Sequence, residues 1–218
     1  GGRDLALRYD LTVPLARYVA TYNPPLPFRR YQVGQVFRGE NPQKGRWREF
    51  TQFDFDSVGS ADPAEDAKII AAAVKSLEAL GILNFKVLIN DRKIFEGMSL
   101  ETIRMIDKLK KIDEEKSGLP KDILQKIKSA KPTKILETIF MALNDLGISK
   151  EKYEFSPTLA RGLDYYTGMI IEAEVAGYGG GAVGGGGRYD TLIGSFAKKQ
   201  IPAVGFSFAL DRLLEVMS

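Results

Sequence analysis

Two stretches in the first third of the chain alternate between polar and apolar residues with a period of two. "RYQVGQVFR" (residues 30–38) and "EFTQFDFDSVG" (49–59) therefore predict strands, and the Gly-, Pro- and Arg-rich "GENPQKGRWR" between them predicts a long-looped antiparallel hairpin. The period then changes. In "SADPAEDAKIIAAAVKSLEALG" apolar residues recur at 67, 70, 74 and 77, behind a Ser/Asp cap and Pro63 and ahead of Gly81, which predicts a helix; "NFKVLIN" follows as a strand.

From about Arg92 to Lys152 the pattern is helical, rich in Lys, Ile, Leu and Glu, and carries no strand signal. "MSLETIRMIDKLKKI" and "PTKILETIFMALNDLG" read as amphipathic helices with "GLPKDILQKIKSA" as a shorter one between them. Strand signals return with "MIIEAEV", then the tract "GYGGGAVGGGGRYD", then "IPAVGFSF" leading into the helix "ALDRLLEVMS". The first residues, "GGRDLALRYDLTVPLARYVATY", show no clear element and read as the inside of a longer chain. Strands joined by hairpin-like loops, with helices grouped elsewhere, imply an α+β fold on an antiparallel sheet. The expected division is 1–91 and 153–218 as two parts of one domain, with 92–152 as a helical insertion.

Composition narrows the chemistry. The 218 residues include neither Cys nor His, which removes disulfides, thiol nucleophiles, the commonest general base and the commonest metal ligands; no metal site is expected. A formal net charge of +3 is compatible with a nucleotide or nucleic-acid partner without arguing for one. No run is long and apolar enough for a membrane span and no signal peptide is visible, so the expectation is a cytoplasmic protein without a membrane partner.

Candidate chemistry sits in a few places. Period two puts Gln52, Asp54 and Asp56 on one strand face and Phe53 and Phe55 on the other; taken alone, the polar face reads equally well as an ordinary solvated edge. The loop before it carries Arg38, Glu40, Arg46 and Arg48, and arginines in a glycine-containing hairpin suit a polyanion through planar two-pronged contacts. The glycine tract does not open a helix and is not a dinucleotide or P-loop fingerprint; a flexible linker is the default reading, but the ordered-looking "GRYD" that follows at once favours backbone that lets a ligand approach closely. "LARGLDYYTG" (159–168) crowds Arg161, Asp164, Tyr165 and Tyr166 just ahead of a strand, and Arg212 lies on a helix otherwise bearing Leu210, Leu213, Leu214 and Met217, where a solvated face is the default reading.

Taken in order, "LALRYDLTVPLARYV", "VFRGENPQKGRWREFTQFDFDSVG", "LARGLDYYTG", "GGGGRYDTLIG" and "AVGFSFALDRLL" resemble the catalytic domain of the histidyl-tRNA synthetases, a class II aminoacyl-tRNA synthetase family. The hairpin resembles class II motif 2, "GFSFALDRL" motif 3, and "RGLDYYTG" and "GGRYD" the two histidine signatures. The resemblance implies a class II antiparallel sheet flanked by helices, and a two-step reaction in which histidine is activated by ATP, with Mg²⁺ brought by the nucleotide, and passed to the histidine tRNA.

It also implies roles for particular residues. Arg38 resembles the motif 2 arginine on the α-phosphate and substrate carboxylate, and Arg161 the second arginine opposite it, which makes these two the expected catalytic residues. Glu40, Arg46 and Phe50 match ATP-binding positions, with Phe50 on adenine, and Arg212 matches the motif 3 arginine on the γ-phosphate. Asp10, Thr12 and Gln52 match the α-amino site; Asp56, Tyr166 and Tyr189 match the imidazole pocket, where carboxylate and phenol oxygens suit a ring N–H donor. Gly162 would provide tight backbone and Asp164 would orient the loop. A motif 1 segment and an anticodon-binding domain are not seen, and the intact protein is expected to be a homodimer. The alternative is a synthetase-like regulatory subunit of ATP phosphoribosyltransferase, a binding module; a synthetase-like sensor domain is a third reading. Both are disfavoured by the presence of Arg38, Arg161 and Arg212 together.

Overall fold

A long two-stranded hairpin forms one edge of the sheet in the computed structural model, which describes residues 2, 4–109, 116–161 and 165–218. Its strands, β1 (Phe28–Phe37) and β2 (Glu49–Val58), pair antiparallel along their whole length. Five more strands follow: β3 (Phe85–Asp91), β4 (Tyr153–Phe155), β5 (Met169–Val175), β6 (Gly184–Arg188) and β7 (Ala203–Ala209). They assemble in the order β1-β2-β7-β6-β5-β3-β4. Every neighbouring pair is antiparallel except β3 with β4, so the sheet is mixed where an antiparallel one was expected. The exception has a simple origin: the helical stretch between β3 and β4 provides the crossover a parallel pair needs.

Among the described residues the α-helices are α1 (Thr12–Tyr22), α2 (Pro63–Ala79), α3 (Leu100–Lys108), α4 (Lys121–Lys128), α5 (Lys134–Asp145) and α6 (Leu210–Met217). Helix α2 forms as its signals predict. The Asp62 carboxylate accepts from the Ala64 N–H, Pro63 opens the first turn, and Gly81 takes the positive φ (+76°) that follows its end. Its buried face, Ala67, Ile70, Val74 and Leu77, packs beneath β2 and β7 against Phe55, Phe206 and Phe208; each such large side chain contributes about 2 kcal/mol on burial. Helix α5 completes this core with Leu136, Ile139 and Leu143, whereas α3 and α4 gather around Ile106 and Ile127 in a second cluster that reaches Leu159 and Tyr166. The helical stretch 92–152 is thus divided between two cores.

Two elements depart from the sequence reading. Helix α1 lies in the N-terminal stretch that showed no clear element, its Val13 N–H donating to the Asp10 carboxylate (3.0 Å) and its Leu15, Ala16 and Val19 buried. The second half of the glycine tract is the central strand β6 and not a linker. Gly162 and Asp164 lie outside the described residues. No described helix is long and apolar enough to cross a membrane.

Candidate active site

One face of the sheet is covered by α2; the other carries the polar side chains of β2 into a cleft. Gln52, Asp54 and Asp56 are all buried, at 7, 2 and 4 % exposure, so the solvated-edge reading of this face is wrong. They can be buried because β6 and β7 are small there. A Cβ on Gly205 would sit 1.9 Å from Oδ1 of Asp56, and one on Gly186 would sit 2.0 Å from the Gly205 carbonyl.

The cleft has two adjoining parts. The inner recess, about 410 Å³, is lined by Asp10, Thr12, Gln52, Asp54, Asp56, Tyr165, Tyr166, Tyr189 and Ser207. Oδ1 of Asp56 accepts from the Tyr189 hydroxyl at 2.6 Å, and its Oδ2 lies 3.0 Å from Nη2 of Arg30. Burial pushes the Asp56 carboxyl up, against the pull of Arg30 and Tyr189. Burial also pushes Tyr189 far up, so the phenol keeps its proton. Asp10 caps α1 and accepts from the Tyr165 hydroxyl at 3.5 Å. Gln52 donates through Nε2 to the Ser207 hydroxyl at 2.5 Å.

The outer cleft, about 680 Å³, contains Arg38, Glu40, Arg46, Phe50, Glu172 and Arg212. The Arg38 guanidinium lies over the rings of Tyr9 (4.5 Å) and Phe50 (4.9 Å), and its backbone N–H donates to Arg48. Arg46 pairs with Glu40 at 3.3 Å. Arg212 sits in the first turn of α6, donating Nε to the Gly45 carbonyl at 2.6 Å and Nη1 to the Ala182 carbonyl, so it ties the hairpin loop to the glycine loop and is no solvated helix face. Burial and the neighbouring cations Arg46 and Arg38 push its guanidinium down, against the pull of Tyr178 and Glu172.

Arg38 and Arg161 line both parts of the cleft. Arg161 has φ +37°, a left-handed value that a non-glycine residue seldom adopts. Its Nη1 donates to the Ile171 carbonyl at 2.9 Å and lies 4.0 Å from Glu172. Every residue to which the resemblance gave a catalytic, ATP-binding or histidine-binding role thus borders one or both parts, whereas Arg48 of the same loop lines neither and donates Nε to the Glu40 carbonyl. A histidyl-tRNA synthetase family model matches residues 1–109 and 96–213. The chain belongs to the histidyl-tRNA synthetase family.

Relatives of that family align with almost the whole of it. The histidine–tRNA ligase of Aeropyrum pernix is 42 % identical over 98 % of the chain and 58 % of its own length, and that of Nanoarchaeum equitans 42 % identical over 97 % and 56 %. The histidyl-tRNA synthetase of Nostoc sp. PCC 7120 superposes with a TM-score of 0.82 at 31 % identity, covering 97 % of this chain and 59 % of that one. The chain therefore spans somewhat over half the length of these synthetases.

Four residues of the site were given no role from the sequence: Asp54 and Tyr165, which were named only as part of a polar face and a polar cluster, and Arg30 and Ser207, which were not singled out. Period two already placed Asp54 beside Gln52 and Asp56, and the register Arg30↔Asp56 follows once the hairpin is paired. Ser207 faces Asp54 from β7, a strand too distant in sequence for any local pattern to align.

Proposed function

We propose that this chain carries the histidine-activating centre of a histidine–tRNA ligase. The observation that supports this most is the position of Arg38 and Arg161 at the junction of an acid-lined recess and an arginine-lined cleft. The recess suits a small zwitterion whose donors point inward, and the cleft suits a polyphosphate. The substrate carboxylate then emerges between the two arginines, where the nucleotide α-phosphate would lie. There a carboxylate oxygen attacks phosphorus, the bond to the bridging oxygen of pyrophosphate breaks, and pyrophosphate leaves.

Negative charge grows on the non-bridging oxygens during this displacement, so two fixed guanidinium groups stabilise the transition state more than the ground state. Arg46 and Arg212 would hold the outer phosphates, with Mg²⁺ travelling on the triphosphate, and Phe50 would offer adenine the ring face away from Arg38. Asp10, Thr12 and Gln52 would receive the α-amino group. Asp56, already fixed by Arg30 and Tyr189, would accept a hydrogen bond from the imidazole N–H, with Tyr166 close by. Transfer to the histidine tRNA, pairing as a homodimer and a cytoplasmic setting belong to the same reading of the whole protein. The ligase names of the relatives and the convergence of Arg38, Arg161 and Arg212 favour it over the regulatory-subunit alternative.

Histidine-dependent exchange of pyrophosphate into ATP tests the proposal. Exchange with histidine but with no other amino acid is expected; exchange absent, or equal for all amino acids, would overturn it.

A further inference from the structure

The inner recess holds more negative charge than the residues around it neutralise. Asp56 is matched by Arg30, whereas Asp10 caps α1 and Asp54 faces no cation at ion-pair distance among the described residues. Asp54 is 2 % exposed, and its Oδ1 has no hydrogen-bond partner among the described residues; the Ser207 hydroxyl, opposite it on β7, bears on its carboxyl. Gln52, 7 % exposed, donates to that same hydroxyl and leaves its Oε1 without a partner. Two buried acceptors, two residues apart on one strand face, therefore wait at the wall of one recess for donors, a costly arrangement unless a ligand supplies them. Among the described residues no three acids stand close enough together to hold a metal ion, which favours a molecular donor.

We infer that Asp54 is the principal counter-ion of the substrate's α-ammonium group, with Gln52 Oε1 as the adjoining acceptor and the Gln52–Ser207–Asp54 chain holding both in place. This rests on the histidine-activation reading and adds to it a specificity-determining residue. An ammonium carries three donors and one positive charge, which is what two buried acceptors beside uncompensated carboxylates lack.

The protonation of Asp54 agrees. Burial first, then the neighbouring Asp56 and Asp10, push its carboxyl up to about 7, while Ser207 and Arg30 pull it down. Charged or titratable groups bear on it from β2 (Asp56), β1 (Arg30), the entry to α1 (Asp10) and the segment before β5 (Tyr166). Near neutral pH the empty site thus keeps a proton on part of the Asp54 population. An arriving ammonium favours the ionised form and expels that proton.

Calorimetry of the 218-residue chain with L-histidine, with histidinol, which keeps the ammonium, and with imidazole-propionate, which lacks it, tests the inference. Asp54→Asn should weaken histidine and histidinol by roughly 10- to 100-fold, the range for losing a charge-assisted hydrogen bond, and leave imidazole-propionate and ATP unchanged. On the unsubstituted chain, titrations near neutral pH in buffers of different ionisation enthalpy should show proton release with histidine and none with imidazole-propionate. An unchanged histidine affinity in the variant, equal losses for all ligands including ATP, or equal proton release by both ligands would overturn the inference. If the unsubstituted chain bound ATP but not histidine, the activation reading would fall, and this inference with it.

Discussion

A Cβ on Gly185 would lie 1.3 Å from Nη1 of Arg161. The glycine at this point of β6 is the space in which the guanidinium rests, so the two residues form one unit. Gly185→Ala should push Arg161 off its position while the strand, which is not in the left-handed region there, keeps its pairing. Since a shift of about 1 Å in a positioning group costs on the order of 100-fold, pyrophosphate exchange should drop by that factor, with a melting temperature close to that of the unsubstituted chain. A large loss of stability with undiminished exchange per folded molecule would refute the pairing.

Arg161 itself should act mainly in the transition state. Removing one preorganised donor costs about 3–4 kcal/mol, so Arg161→Ala should slow activation several hundred-fold with much smaller changes in histidine and ATP affinity. Arg161→Lys should recover only part of the rate, because an ammonium cannot make the planar two-pronged contact. Single-turnover kinetics on both variants gives the comparison.

Much of this unit was legible in the sequence and part was not. The β1–β2 hairpin and α2 carry side chains with a clear period and recognisable caps, so their placement followed from local pattern. Strand β6 has four glycines and a single side chain, Arg188, which is too few to show a period; its identity depends on what surrounds it, since a Cβ on Gly184 would lie 2.6 Å from the Phe206 ring and one on Gly186 would lie 2.0 Å from the Gly205 carbonyl. Helix α1 was obscured by Pro14 and two β-branched residues in its first half, and its cap comes from Asp10, two residues before the first helical residue. Phe50 was expected to offer its ring to adenine, but only the fold shows Arg38 lying over it. The burial of Asp54, similarly, depends on β7 and could not be read from β2 alone.

The buried pair of Arg30 and Asp56, at 10 and 3 % side-chain exposure, should be costly to break from one side. Arg30→Met leaves a buried carboxylate uncompensated, and a loss of roughly 3–5 kcal/mol is expected, measured by urea unfolding. Asp56→Asn should be milder for stability but should weaken histidine far more than ATP in calorimetry. Equal weakening of both ligands would make Asp56 a structural residue only.

Acid stability should depend on Glu65. Burial pushes its carboxyl up, but hydrogen bonds from Lys68, Ser57 and Arg29 more than offset this and hold it at about 2, against an ordinary value near 4.5. A carboxyl lowered on folding stabilises the native state above its unfolded pKa and loses that contribution as pH falls through the folded value. The stability gap between the unsubstituted chain and Glu65→Gln should therefore be full at about pH 6 and shrink steadily below about pH 4.5. Urea midpoints that keep a constant gap down to about pH 2 would contradict it.

The central claim is that Arg38 and Arg161 join a histidine recess to an ATP cleft. Rapid-quench analysis of the 218-residue chain, mixed with histidine and α-labelled ATP, tests it most directly. The account predicts a burst of histidyl-adenylate approaching one equivalent per chain, absent when histidine is omitted and strongly slowed in Arg161→Ala. A chain that binds both ligands yet forms no adenylate, or forms it equally fast without Arg161, would contradict the account.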